Sequence, residues 1–227
     1  MIKRVNFVKT STETLTFEGI KATHRKRQKE IKARLAEFDA VRKQRCDERL
    51  WEEMVFCFFT GGCSARMGLN AINAVRPLLK NGTQEQLAQA LTGVHRYPNA
   101  RSRYIVASRN FLREDCNLQI GKKLQGFRDH HGRRDWLAKE KGIKGLGYKE
   151  ASHFLRNVGF KGYAILDKHI LACLAELKII EEPKPPKTRS AYLTIEEKLK
   201  HLTGNLSIDF DELDLVLWSM KTGVILK

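Results

Sequence analysis

The sequence predicts a mainly α fold, arranged as two helical lobes with an interdomain cleft between them. Three observations carry that reading. Apolar residues recur at three- and four-residue intervals through much of the chain, as at Ile31, Leu35, Phe38 and Val41. Helix-starting side chains stand in front of such stretches, among them Ser64, Thr83, Asp167 and Asp209. Period-two alternation, the mark of a half-buried strand, is nearly absent beyond the first nineteen residues. With 227 residues and 42% hydrophobic content, there is enough apolar material for a real core. The 42 Lys and Arg outnumber the 26 Asp and Glu, a formal charge of +16, which favours a polyanionic partner and nucleic acid first.

Taken in order, residues 1–19 alternate enough to predict a short extended arm, as in Thr14-Leu15-Thr16-Phe17. From Gly19 to about Arg45 the pattern turns helical, with Lys21, Arg25, Lys26, Arg27, Lys29, Lys32 and Arg34 opposite the apolar stripe, so this helix is basic and amphipathic. Asp47 is expected to cap a helix running from Leu50 to Phe59, apolar enough around its circumference to sit in a core. The turn Thr60-Gly61-Gly62-Cys63 follows, and Ser64 caps the next helix, which ends at Asn81-Gly82. Thr83-Gln84-Glu85-Gln86 has the form of a capping box. Basic and aromatic residues interleave from His95 to Tyr104, which suits a nucleotide site, and two helices are expected between 118 and 140. Lys168 to Ile180 reads as helical, the run Glu181 to Pro186 as a stiff linker, and Thr194-Ile195-Glu196-Glu197 as the start of the penultimate helix. Asp209 opens the last helix, and Gly223 ends it.

The five cysteines are scattered without a Cys-x-x-Cys pair, which argues against a disulfide framework or a zinc finger and leaves them as small core residues. The longest apolar run, Met54 to Phe59, is too short to cross a bilayer, and no apolar leader follows Lys3-Arg4, so a cytoplasmic location is expected.

The chemistry concentrates in Gly142-Ile143-Lys144-Gly145-Leu146-Gly147-Tyr148-Lys149. Gly145 and Gly147 allow a tight turn with bare amides, and Ala151, Phe154, Leu155 and Val158 begin a helical apolar stripe behind them. A glycine hairpin feeding a helix N-terminus suits a phosphate, because its amides are unpaired and its end carries partial positive charge. Lys149 falls in the first turn of that helix. Asp167, 167 − 149 = 18 positions later, is placed to cap the next one.

Gly-Leu-Gly-Tyr-Lys, the helix ending in Arg156-Asn157-Val158-Gly159, the Asp eighteen residues on, and the ending Trp218 to Lys227 together resemble the helix-hairpin-helix DNA glycosylase superfamily. Within it the match is to the second family of 8-oxoguanine DNA glycosylase/lyases, known from archaea and some thermophilic bacteria. The motifs cover the chain from about residue 50 onward. The scattered cysteines exclude the four-Cys iron-sulfur loop of the endonuclease III branch.

The resemblance implies a bifunctional DNA repair enzyme that flips out and excises 8-oxoguanine and then cleaves the strand. Its catalytic residues would be Lys149, the Schiff-base nucleophile, and Asp167, an ionised carboxylate facing the positive charge that grows at C1′. DNA contacts would come from Gly145, Gly147, His169 in an Asp-x-His pattern, and Arg66 in the loop that replaces the flipped nucleotide. Trp218 and Lys227 would recognise the base. The expected partner is duplex DNA bearing 8-oxoguanine or an abasic site, bound by a monomer without membrane, cofactor or metal. Residues 1–60 with 168–227 would form one lobe and 61–167 the other. Two alternatives stand beside this: a non-enzymatic helix-hairpin-helix module, which leaves Lys149 and Asp167 unexplained, and a glycosylase for another damaged or mismatched base.

Overall fold

Eleven α-helices and no strand make up the regular structure of the described residues, 15–226, in a computed structural model of the protein. They are α1 (Phe17–Gln44), α2 (Asp47–Thr60), α3 (Ala65–Val75), α4 (Gln84–Leu91), α5 (Pro98–Cys116), α6 (Ile120–Gln125), α7 (His130–Lys139), α8 (Tyr148–Asn157), α9 (Lys168–Glu176), α10 (Arg189–Leu206) and α11 (Phe210–Thr222), with one 3-10 turn at Arg76–Leu78. No described helix is long and apolar enough to cross a membrane.

The contacts divide the chain into two units. A central unit spans Glu37–Tyr163, and a terminal unit joins the described residues up to Ala36 with those from Ala164 onward. In the central unit α2 is the core helix: Met54, Val55, Phe56, Cys57, Phe58 and Phe59 are all buried, so it has no solvated face along that run. Each such large side chain stabilises the unit by about 1.5–3 kcal/mol. Helix α8 lays Ala151, Phe154 and Leu155 against this cluster and adds a polar tie, since Asn157 Nδ2 donates to the buried Glu53 carboxylate at 3.4 Å and Arg49 pairs with the same group at 2.7 Å. The terminal unit buries Ile20 and Ile31 of α1 with the apolar faces of α9, α10 and α11. There the ring of His24 meets the Glu212 carboxylate, Arg27 Nη1 donates to the Gly223 carbonyl at 3.2 Å, and Glu196 accepts from the Ala164 amide at 2.9 Å.

Most helix signals act as expected. Ser64 accepts from the Met67 amide, Thr83 and Gln86 complete their capping box, and Asp209 accepts from the amides of Asp211 and Glu212. Other readings need correction. The helix capped by Ser64 stops at Val75 and gives way to the 3-10 turn Arg76–Leu78, short of the expected end at Asn81-Gly82, because Pro77 has no amide hydrogen to continue it. Asp47 does not cap α2 but is its first residue, and its carboxylate instead accepts from the Gly121 amide at 2.7 Å. Helix α10 starts well before Thr194, with Thr188 as its cap, and the Thr194 hydroxyl donates inside the helix to the Ser190 carbonyl. Helix α9 stops at Glu176 rather than Ile180, because Lys178 turns left-handed at φ 58° and the Ile179 amide folds back to Leu174. Cys46 is exposed, whereas Cys57 and Cys173 are core residues as expected. Helix α1 begins at Phe17, and the predicted arm lies almost wholly outside the described residues. The sequence drew lobe boundaries at 60 and 167; the contacts group residues 37–60 with the central unit, where α2 has its partners, and 164–167 with the terminal one.

Candidate active site

In the central unit the glycine hairpin is built as the spacing implied. Gly145 has φ +81°, and a Cβ there would lie 2.6 Å from the Tyr104 ring, so both its conformation and its space require glycine. Gly147 is the N-cap of α8 and brings no side-chain cap, so no side chain occupies the helix's leading amides from that position. The next residue is anchored sideways, with the Tyr148 hydroxyl donating to Asp135 at 2.9 Å. Replacing Gly145 with Ala is expected to destabilise the unit by about 2–5 kcal/mol, the left-handed penalty plus overpacking on Tyr104. Denaturant melts check this; an unchanged midpoint would mean that the Tyr104 ring yields freely.

Lys149 follows in the first turn of α8. Its amine is 3.1 Å from Glu150 Oε1, and its side chain is 24% exposed, enough for a substrate to reach. Glu150 had no role in the sequence reading. Its carboxylate also stands beside two glycines: a Cβ on Gly147 would be 3.4 Å from Oε2, and one on Gly61 3.5 Å from Oε1.

Gly61 belongs to the turn after α2, which leads to Arg66, the residue expected to enter the duplex. Thr60 is buried and spends its hydroxyl on the Cys57 carbonyl, while Arg66 lies exposed in the first turn of α3. The basic-aromatic run from His95 to Tyr104 also braces this turn through Arg101 and His95. Arg101 Nη2 donates to the Gly61 carbonyl at 2.6 Å, and its guanidinium lies 5.8 Å from the Tyr97 ring centre and 5.4 Å from that of Tyr104. His95 Nε2 donates to the Phe59 carbonyl at 3.2 Å, and its Nδ1 accepts from the Tyr97 amide at 3.1 Å, which fixes a neutral tautomer. Further along α5, the Ser108 hydroxyl accepts from the Lys144 amide at 2.8 Å. Tyr97, Arg101, Tyr104 and Ser108 are spaced by four, three and four residues, a single helix face that the sequence displays but that mixed polarity hides from an apolar-stripe search.

In the terminal unit Asp167 caps α9 through one oxygen: Oδ1 accepts from the amides of His169 at 2.8 Å and Ile170 at 2.9 Å, which leaves Oδ2 outside both bonds. The His169 ring meets Trp218 of α11 edge to face at 6.3 Å. Lys227 lies outside the described residues.

Burial holds the His169 ring below the usual histidine pKa, with Asp167 pulling the other way and Lys168 and Lys221 adding to the fall. Burial does the same to His95, against its bond to Phe59 and with help from the charge of Arg101. Both rings are therefore neutral in the fold near pH 7, and the unfolded chain takes up protons first on acidification. Their contribution to stability is complete above the ordinary value of about 6.5 and is lost as pH falls through it toward the depressed folded values. Melting temperature should drop between pH 7.5 and 5.5, with a shallower drop in His95→Gln; identical pH slopes would remove His95 from this account.

Residues 31–208 match the sequence pattern of the Ogg-HhH family, described as 8-oxoguanine DNA glycosylase. The match begins inside α1, earlier than the motifs that suggested the resemblance. The chain is 40% identical over 198 residues to the 8-oxoguanine DNA glycosylase/AP lyase of Korarchaeum cryptofilum, which covers 87% of this chain and 90% of that one. It is 36% identical over 214 residues to the protein of the same name from Fusobacterium nucleatum, covering 93% and 97%. Among solved structures it is similar to the Methanocaldococcus jannaschii 8-oxoguanine glycosylase/lyase in complex with a 15mer DNA containing 8-oxoguanine, with a TM-score of 0.83, 32% identity, and 93% and 99% coverage.

Proposed function

The chain belongs to the Ogg-HhH family of 8-oxoguanine DNA glycosylases, and from that premise we propose that it excises 8-oxoguanine from duplex DNA with Lys149 as nucleophile and then cleaves the strand at the abasic site. The free amine of Lys149 attacks C1′ as the glycosidic bond breaks; the base leaves with the bonding electrons and takes up a proton. Loss of the amine proton and opening of the sugar ring give an iminium between Nζ and C1′. A proton then leaves C2′, the C3′–O bond breaks, and the 3′ phosphate departs with its electrons. Hydrolysis of the iminium returns the lysine. Two amide hydrogen bonds to Oδ1 hold the Asp167 carboxylate in place, and its charge stabilises the cationic sugar in the transition state.

The observation that carries this reading is the placement of Lys149, a reachable amine in the first turn of a helix whose cap is a bare glycine. The same helix end, with Gly145 and Gly147, takes a DNA phosphate, and Arg66 and His169 add contacts. The His169 ring is assigned to a phosphate contact as a hydrogen-bond donor. Trp218 and Lys227 are assigned to the flipped base, the indole by stacking on its face. The partner is duplex DNA bearing 8-oxoguanine or an abasic site, met in the cytoplasm.

Borohydride reduction during turnover tests the reading, because it converts the iminium to a stable amine linkage. A covalent protein–DNA adduct is expected on a duplex with one 8-oxoguanine and not on an undamaged duplex. Binding without adduct or cleavage would leave only a DNA-gripping module; release of a different base alone would move the substrate.

A further inference from the structure

Arg101 stands at the centre of a chain of contacts that ends on the Lys149 amine. Its guanidinium holds the Gly61 carbonyl at 2.6 Å; Gly61 faces Glu150, whose Oε1 would stand 3.5 Å from a Cβ at that position; and Glu150 Oε1 is 3.1 Å from Lys149 Nζ. Gly61 has φ −69° and ψ 107°, a conformation open to any residue, so its backbone does not ask for glycine. What limits the position is its neighbours. A Cβ there would be 3.3 Å from Arg101 Nη2, a tight contact, and 3.5 Å from Glu150 Oε1, an ordinary one, so a methyl group would press on the guanidinium while touching the carboxylate.

Arg101 is itself held in place. The rings of Tyr97 and Tyr104 flank the guanidinium, and Tyr104 also lies under Gly145 of the hairpin. His95 fixes the Phe59 carbonyl two residues before Gly61, so the end of α2 is pinned at two points. One face of α5 thus sets the turn after α2 and the hairpin before α8 in a common frame.

We propose that Arg101 is a positioning residue for the reaction of Lys149, acting through Gly61 and Glu150 to fix where the amine sits. The inference rests on the role given to Lys149 above. Arg101 holds the wall, the wall limits Glu150, and Glu150 directs the nucleophile. Placement at this scale matters because a misplacement of about 1 Å costs on the order of 100-fold in rate.

Single-turnover kinetics on an 8-oxoguanine duplex, with borohydride trapping, binding titrations and thermal melts, test this in the full chain. Arg101→Ala should slow adduct formation by about 10- to 100-fold, with half-saturating DNA concentration within about threefold of wild type. Arg101→Lys should recover part of the rate, because one donor still reaches Gly61 without the planar fork. Gly61→Ala should slow the reaction several-fold at an unchanged melting temperature, since its backbone is unstrained and only the Arg101 guanidinium, a flexible side-chain end, must give way. The proposal is overturned by an unchanged rate in Arg101→Ala, by a loss confined to DNA affinity, or by a rate loss matched by unfolding while Gly61→Ala reacts as wild type. Absence of any adduct with the unmutated chain would overturn the Lys149 reading itself, and this proposal with it.

Discussion

Replacing Lys149 with Gln is expected to abolish the trapped adduct and strand cleavage, lowering both by more than about 10⁴-fold, while duplex binding and stability stay close to wild type. In the proposed mechanism the amine bonds to C1′, and an amide is no substitute for it. Little else depends on it: the side chain is partly exposed and pairs with Glu150, and such a pair contributes about 0–1 kcal/mol. Trapping assays, gel-shift binding and melts on the same preparation separate these quantities. Adduct formation at the wild-type rate would pass the role to another amine, of which Lys144 in the same hairpin is the first to examine.

Asp167→Asn should cost about 10²- to 10³-fold in excision and less than about 0.5 kcal/mol in stability. The contrast follows from the geometry. Both amide bonds of the cap go to Oδ1, an oxygen that Asn retains, and Asn and Asp cap helices about equally well. What Asn lacks is the charge that the proposed mechanism sets against the cationic sugar. Excision rates set beside denaturant melts decide the matter: parallel losses would reduce Asp167 to a helix cap, and an intact rate would remove its charge from the mechanism.

The parts of this site that the sequence displays are the local ones. A hairpin glycine, a capping Asp and a lysine in the first helical turn act within a few residues of themselves, so spacing alone reveals them. Ser64, Thr83 and Asp209 are legible for the same reason. Asp47 looks equally like a cap, yet its carboxylate is taken by an amide 74 residues away, a competition that no local pattern records. Thr194 misleads in another way: a Thr followed by Glu three residues on occurs inside a helix as readily as at its start, and Thr188 supplies the true cap. Arg101 and Gly61 are 40 residues apart, and their pairing depends on how α5 packs beside α2. Charge and aromatic content point to that run but not to its partner, so the strut that Arg101 forms under the turn is not visible in the sequence.

The joining of the terminal unit from both sides of the central one also fixes an order of events during synthesis. His24 in α1 and its partner Glu212 in α11 are 188 residues apart. At about 5–20 residues per second, roughly ten to forty seconds pass between their appearance. Residues 37–163 contain every segment of the central unit and are complete well before α11 emerges. Over the same interval the stretch from Phe17 to Ala36 has its buried positions, Ile20 and Ile31, but none of the later segments of its unit, and a helix draws most of its stability from such packing. The chain therefore folds from its middle outward, and its first helix is finished by its last. While α1 waits, the α11 of a neighbouring unfolded copy offers the same surface, so exchange of the terminal helices between copies is the folding error that this architecture invites.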